Sequence, residues 1–369
     1  MDLFRLDLIL SICKNANSIP ETIVYGWALY NPQQEVHMTK RQFGSVNVAV
    51  VQAAPVVFDR DATVDKTCRL LKEAADSGAQ LVLFPEAFIP AYPRGLSFGS
   101  VVGQRRPEGR RNFQRYWDNS VDVPGAVTET IGNVARKCRV HVGIGVIERD
   151  TEFSGGTLYC TLLYFGPDGQ LLGKHRKLMP TGSERLIWGA GDGSTLTAVE
   201  TEIGTLGGLI CWENYMPLAR MAMYAKGVEI YLAPTADCRD TWQATLQHIA
   251  CEGRCFVLGC NQFVKKTMYP DNLEMLEELE DFPETICRGG SVIISPLGEI
   301  LEGPLYDTEG ILYAELDMGE IAQGKFDFDA AGHYARPDVF QLVINEQETP
   351  PVIRKGSGGP QPSLSEPDR

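Results

Sequence analysis

The chain has 369 residues, 44% of them hydrophobic and 22% charged, an ordinary globular composition with length enough for a large core. Its formal net charge of −14 argues against nucleic acid and anionic membrane surfaces as partners. The 10 cysteines are scattered singly. An apolar run near residues 3–12 is broken by Arg5 and Asp7, so neither a signal-peptide core nor a membrane span is expected.

Residues 1–44 carry no clear period and read as a poorly specified extension with room for one short helix. From Val46 to Pro55 the pattern is a near-continuous apolar strand, as for a strand buried on both faces. Residues 61–77 read as an amphipathic helix closed by Gly78. Residues 80–84 form the next buried strand, ended by Pro85-Glu86, so a carboxylate stands at a strand's C-terminal end, where open α/β sheets build their sites. Residues 87–114 read as one long loop rich in Pro, Gly and Arg, a length that is functional or disordered. A helix from Pro124 to Cys138 and a strand over 140–147 follow. Residues 157–165 and 170–175 form a hairpin across Gly166-Pro167-Asp168-Gly169.

Strands over 195–201 and 204–210 lead into Cys211. Residues 215–226 have apolar positions at helical spacing. A strand over 229–233 ends at Pro234-Thr235-Ala236-Asp237, followed by a helix over 241–253 and a strand over 256–262. Cys251, Cys255 and Cys260 cross from the helix pattern into this strand. That fits core packing, not metal ligation, and reduced thiols in a cytoplasmic setting are expected. Residues 268–282 read as an acidic, irregular surface insertion. Strands over 290–294, 300–301 and 310–316 close the pattern, which weakens beyond Ala330. Residues 347–369 have the composition of a disordered tail.

The two halves repeat one order of strands and helices. A four-layer αββα sandwich, two mixed sheets face to face with helices outside, satisfies it; a single doubly wound sheet is the alternative. Three separated strand ends carry Glu86, Lys177 and Cys211. The Gly207-Gly208-Leu209-Ile210-Cys211 turn follows the logic of a nucleophile elbow, with Cys in place of Ser. The helix expected after it should favour the thiolate through its N-terminal dipole. A thiol needs a base to collect its proton, and an ammonium can hold developing negative charge, a set suited to acyl transfer at a C–N bond. Taken singly, each residue has a plainer reading: Glu86 as a helix cap, Lys177 in a solvated basic run, Cys211 in the core.

Taken together, three stretches resemble the signatures of the carbon–nitrogen hydrolase (nitrilase) superfamily, nearest to plant-type nitrilases and their bacterial relatives. They are Leu83-Phe84-Pro85-Glu86-Ala87-Phe88, then Gly173 to Thr181 through Lys177, then Gly207 to Arg220 through Cys211-Trp212-Glu213-Asn214. The resemblance runs over residues 46–340. Taken with the composition of the two ends, it divides the chain into an extension at 1–44, a nitrilase domain at 45–340 and a largely disordered C-terminal segment at 341–369. It also implies Cys211 as nucleophile, Glu86 as general base and acid, Lys177 as stabiliser of the oxyanion or thioimidate nitrogen, and Glu184 as a second carboxylate that positions the lysine. Metal and organic cofactor are both unnecessary to that chemistry. Where the family often has Gly-Tyr-Pro, this chain has Ala91-Tyr92-Pro93.

The implied activity is nitrile hydrolysis to a carboxylic acid and ammonia, with nitrile hydratase side activity giving the amide and β-cyanoalanine as the favoured substrate. Tyr92, Trp188, Trp212 and Thr235 are candidate pocket linings, with core packing as the competing reading of the aromatics. A homo-oligomer, a dimer or a larger helical assembly, is implied as well, with apolar residues 339–344 needing a partner surface. Three readings compete. An amidase or carbamoylase of the same superfamily would use the same three residues. A papain-like hydrolase would need His175 or His248 as its base and lacks the Cys-Gly-Ser-Cys-Trp signature. A non-catalytic, filament-forming assembly protein would have no use for the three-residue set.

Overall fold

The structure is a computed structural model and describes residues 44–353. The N-terminal extension and the end of the tail therefore lie outside the described residues. Sixteen strands are described, in chain order. β1 is Ser45–Gln52, β2 Leu81–Leu83, β3 Ser100–Val101, β4 Gln104–Arg105, β5 Val121–Asp122, β6 His141–Arg149, β7 Leu158–Phe165 and β8 Leu171–Arg176. β9 is Ala198–Thr201, β10 Gly204–Gly208, β11 Ile230–Thr235, β12 Phe256–Asn261, β13 Phe263–Lys265, β14 Thr285–Ile294, β15 Ile300–Tyr306 and β16 Gly310–Asp317.

One sheet runs β16-β1-β2-β6-β7-β8, with β5 added on β6. The other runs β9-β10-β11-β12-β14-β13, with β15 added on β14. Each has three parallel strands in chain order at its centre, β1-β2-β6 in one and β10-β11-β12 in the other, with antiparallel neighbours outside. The parallel strands need crossovers, and helices supply them. Arg60–Asp76 joins β1 to β2, Pro217–Ala225 joins β10 to β11, and Asp240–Gly253 joins β11 to β12.

The period of two along β1 sorts its side chains. Val46, Val48 and Val50 join Leu81, Leu83, Ile230, Leu232, Phe256 and Leu258 in a core between the sheets. Ala49 and Val51 turn the other way, onto Val64, Leu71, Ile131 and Ala135 of the outer helices. On the far side Tyr231, Ala233 and Val257 pack on Met223, Leu246 and Ile249. Helix, sheet, sheet, helix is the four-layer arrangement.

Two expectations are corrected. The stretch 87–114 is not one loop: β3 and β4 make a short hairpin, and Pro107–Asp118 is a helix with Pro at its first turn. Nor is 268–282 a surface insertion. Tyr269, Leu273, Met275 and Leu279 are buried. Its acidic groups pair with the 97–111 region: Arg111 grips Glu274 at 2.6 and 2.7 Å, and Ser97 N donates to Glu278 Oε2 at 2.8 Å.

Candidate active site

β2 delivers Glu86 just past its end. The chain turns there through Ala87 in the left-handed region (φ +48), and Gln262 Nε2 donates to the Glu86 carbonyl at 2.7 Å. The Glu86 side chain is fully buried. Its Oε1 accepts from Lys177 Nζ at 2.7 Å and from the Cys160 thiol at 3.6 Å. Its Oε2 is buried and accepts from nothing among the described residues, which is the kind of unsatisfied atom that marks functional positions.

Lys177 leaves the end of β8, its main chain pinned by bonds to Cys160 O and from Gly191 N, both 2.8 Å. Its ammonium bridges Glu86 and Glu184, the latter at 2.8 Å. Glu184 sits in a 3₁₀ turn, Gly182–Leu186, and also accepts from Thr181 N at 2.6 Å and from the Tyr92 hydroxyl at 2.6 Å. Two carboxylates thus surround one ammonium out of water. Burial alone would lower the lysine's proton affinity, but Glu86 and its neighbours drive it well above the ordinary range, so the ammonium stays charged. Burial and the Glu184 charge raise Glu86 above the usual carboxylate range despite Lys177.

β10 delivers Cys211. Gly208 is required here: a Cβ on it would stand 1.9 Å from the Leu232 carbonyl, because β10 and β11 approach closely. Cys211 then takes φ +52, a sharp elbow that a non-glycine residue adopts at a cost of roughly 1–3 kcal/mol. Neutral bonds hold the elbow. Asn214 Nδ2 donates to Leu209 O and Cys211 O, both at 2.9 Å, and Tyr231 OH fixes Asn214 from behind at 2.8 Å. Glu213 accepts from Ile210 N at 2.8 Å, Leu178 N at 2.6 Å and His175 Nε2 at 3.0 Å, tying the elbow to the lysine strand. His175 Nδ1 meets the Thr195 carbonyl at 2.9 Å, so both ring nitrogens face acceptors and both donate when the ring is protonated, the form that Glu213 favours in spite of burial.

The thiolate-favouring helix terminus is a third correction. A 3₁₀ turn, Cys211–Tyr215, intervenes, and the α-helix begins only at Pro217. A dipole effect dies within the first turn, so it does not reach the sulfur. Burial and the Glu86 charge push the Cys211 thiol up to about 12, with Lys177 and the Thr235 hydroxyl, 3.3 Å away, offsetting only part. The resting sulfur is a thiol beside a raised carboxylate.

A cavity of about 250 Å³ opens over Cys211, walled by Tyr92, Arg94, Thr181, Trp212 and Asp237. Of the four candidate lining residues, Tyr92 and Trp212 stand on this wall. Trp188 lines a neighbouring cavity of about 390 Å³, edge-on to Tyr92 at 5.6 Å. Thr235 touches the sulfur from below. Trp212 is oriented by Nε1 on Asp237 Oδ2 at 2.8 Å. Arg94, Cys160 and Gln262 were not singled out by the sequence; nothing in their spacing marks them, and the fold alone brings them here. Among the described residues no three His, Cys, Asp or Glu side chains are grouped to hold a metal ion.

Residues 47–326 match the carbon–nitrogen hydrolase family. The chain belongs to that family. Within it, a protein named bifunctional nitrilase/nitrile hydratase NIT4A from Lupinus angustifolius is 54% identical over 84% of this chain and 88% of its own length. An aliphatic nitrilase from Sinorhizobium fredii is 53% identical over 83% of this chain and 98% of its own. These place this carbon–nitrogen hydrolase on the nitrilase branch. The fold is shared with Saccharomyces cerevisiae Nit3, at TM-score 0.60 and 22% identity, over 80% of this chain and 97% of that one.

Proposed function

We propose that the protein is a nitrilase that converts an organic nitrile to the carboxylic acid and ammonia, with nitrile hydratase side activity. The observation that carries the reading is the divided Glu86 carboxylate, one oxygen on Lys177 and the other free in the neighbourhood of the Cys211 thiol. Glu86 takes the thiol proton and passes it to the nitrile nitrogen as the thiolate adds to the nitrile carbon, giving a thioimidate. Lys177 holds the negative charge that develops on nitrogen, and Glu184 with Tyr92 holds Lys177. Water, deprotonated by Glu86, adds to the thioimidate carbon, and Glu86 hands that proton to the nitrogen, giving a tetrahedral species. Loss of ammonia leaves a thioester, which a second water cleaves to the acid; loss of the thiolate instead gives the amide. No step calls for a metal or an organic cofactor. The names of the relatives, nitrilase and nitrile hydratase, support both outcomes.

We place β-cyanoalanine ahead of arylacetonitriles, which the small cleft over Cys211 supports. A nitrile panel with ammonia, acid and amide measured together tests the assignment, and no turnover of any nitrile would overturn it. We further propose a homo-oligomer, a dimer extending to larger spiral assemblies. Val339, Phe340 and Val343 are 54%, 78% and 89% exposed, the kind of apolar surface that marks an interface. Light scattering at each dilution alongside activity tests it, and a fully active monomer would overturn it. A cytoplasmic setting remains part of this reading. The nine described cysteines are unpaired, and no described helix is long and apolar enough to cross a membrane.

A further inference from the structure

Three cations stand at or beneath the cleft over Cys211. Lys177 is matched by Glu86 and Glu184, and Arg239 is matched by Asp237. Arg94 is different. It lines both the cavity over Cys211 and the one beside it. Its guanidinium donates to the Ala236 carbonyl and lies 5.4 Å from the Tyr92 ring centroid. Its own carbonyl is held by the Tyr269 hydroxyl at 2.7 Å, which fixes the backbone that carries it. The titratable groups it feels most are Cys287, Tyr92, Cys238 and Tyr269, two thiols and two phenols. Among the described residues no carboxylate pairs with it.

A guanidinium has five donors in a planar fork, and only one described bond uses them here. Its unused donors stand on the wall of the cavity over Cys211, where a carboxylate brought to them would be held by charge-assisted bonds. The neighbouring Cys238 reports the same field. A hydrogen bond from Cys287 and the Arg94 charge together bring its thiol down to about 5 in spite of burial.

We propose that Arg94 reads a carboxylate on the substrate, so that the preferred nitriles are short aliphatic molecules bearing that group. This rests on the assignment of the cleft to nitrile hydrolysis. The nitrile carbon meets Cys211 while the carboxylate lies against the guanidinium, both on the wall of one small cavity. A fork that accepts two oxygens suits a carboxylate better than a lysine would.

The test compares kcat/KM for 3-cyanopropanoate with that for 3-cyanopropanamide, its uncharged isostere, in the full-length enzyme. Wild type should favour the carboxylate by roughly 10–100-fold, as for a hydrogen-bonded charge pair. Arg94→Gln should lose most of that preference while still turning over the amide-bearing nitrile, and Arg94→Lys should restore part of it. Cys238→Ser should keep the preference, because it removes a competing anion and leaves the reader. Equal turnover of the two nitriles by wild type would overturn the inference and leave the nitrilase reading standing. So would an Arg94→Gln variant that slows both equally, the mark of a brace to Ala236, or a Cys238→Ser variant that loses the preference. If Arg94→Gln does not fold, wild type decides through inhibition: butanoate should compete and butanamide should not, and equal inhibition overturns the inference. No turnover of any nitrile would instead defeat the underlying assignment, and this inference with it.

Discussion

The two sheets follow the same path, and their strands correspond one by one: β16-β1-β2-β6-β7 beside β9-β10-β11-β12-β14. Their ends differ. The middle parallel strand of the first leads to Glu86; the middle parallel strand of the second ends at Thr235. The first sheet, with the turns that follow β2 and β8, supplies a closed set of charges in Glu86, Lys177 and Glu184. The second supplies the thiol and holds it by backbone conformation, by neutral hydrogen bonds and by the Glu213 carboxylate, which pairs with His175, apart from the Glu86–Lys177–Glu184 set. One side sets protonation and the other sets position, so damage to each should look different.

The largest effect should come from Cys211→Ala. Turnover should fall by about 10⁵-fold or more, as for other covalent nucleophiles. The melting temperature should barely move, since the ion pairs of Lys177 with Glu86 and Glu184 do not use the sulfur. Ammonia release alongside a thermal melt checks both, and retained turnover would sink the assignment. Lys177→Ala should lose activity by about 10⁴-fold and, unlike Cys211→Ala, also destabilise the fold by about 3–5 kcal/mol, because two buried carboxylates would face each other unpaired. Denaturant titration of the two variants side by side would break the comparison if they proved equally stable.

Glu213→Gln should be intermediate. It keeps a single acceptor where three donors converge, so the elbow and the lysine strand lose their common tie. A loss of about 1–3 kcal/mol in stability and a fall in kcat larger than any change in KM are expected. An unchanged kcat would show that the tie is not needed for alignment.

The pH profile sharpens the contrast further. Glu86 must be ionised to accept the thiol proton, and its pKa is raised, so kcat/KM should fall off on the acid side at a pH above the ordinary carboxylate range of about 4. Glu184 contributes to that rise. Glu184→Gln should therefore ease ionisation of Glu86 and move the acid limb to lower pH, whatever it does to the maximum rate. A limb that stays in place would assign it to another group. The smallest effect belongs to Thr235→Val, which removes one donor to Sγ and should slow turnover by about 3–10-fold at fixed pH.

The parallel centre of each sheet was legible because its strands are largely buried on both faces and read as near-continuous apolar runs, as in Val48–Val51 and Leu81–Phe84. Glu86 and Cys211 were legible as residues standing where such runs stop, whereas Lys177, at the end of Lys174-His175-Arg176, took its role only from the resemblance of its stretch to the family signature. The Pro107–Asp118 helix was not. Its buried face is Gly109, Asn112 and Tyr116, spaced as a helix requires but not apolar, and Arg110, Arg111 and Arg115 crowd its other positions. Asn112 is buried because Glu274 N and O meet its side chain, partners 162 residues away. The same distant pairing makes 268–282 look like solvent-facing acid when read alone. Arg94 failed to stand out for a related reason: its importance lies in a missing partner, and no local pattern records an absence.

Gln52 and Cys260 carry a consequence for how the halves stay aligned. Apolar contact between two sheets has no direction and would tolerate sliding. Gln52, at the end of β1, donates to Leu305 O at 3.0 Å and Thr308 O at 2.8 Å, and accepts from Gly290 N and Ser291 N at 3.0 Å each. Cys260 of β12 reaches back to Val51 O at 3.2 Å and Leu83 O at 3.5 Å. The seam is thus keyed like a lock, with polar teeth set in a greasy joint. A shift of one sheet by a single residue would strip every tooth at once. Alignment of acid, ammonium and thiol is therefore inherited from the seam and does not have to be rebuilt by the loops around the cleft.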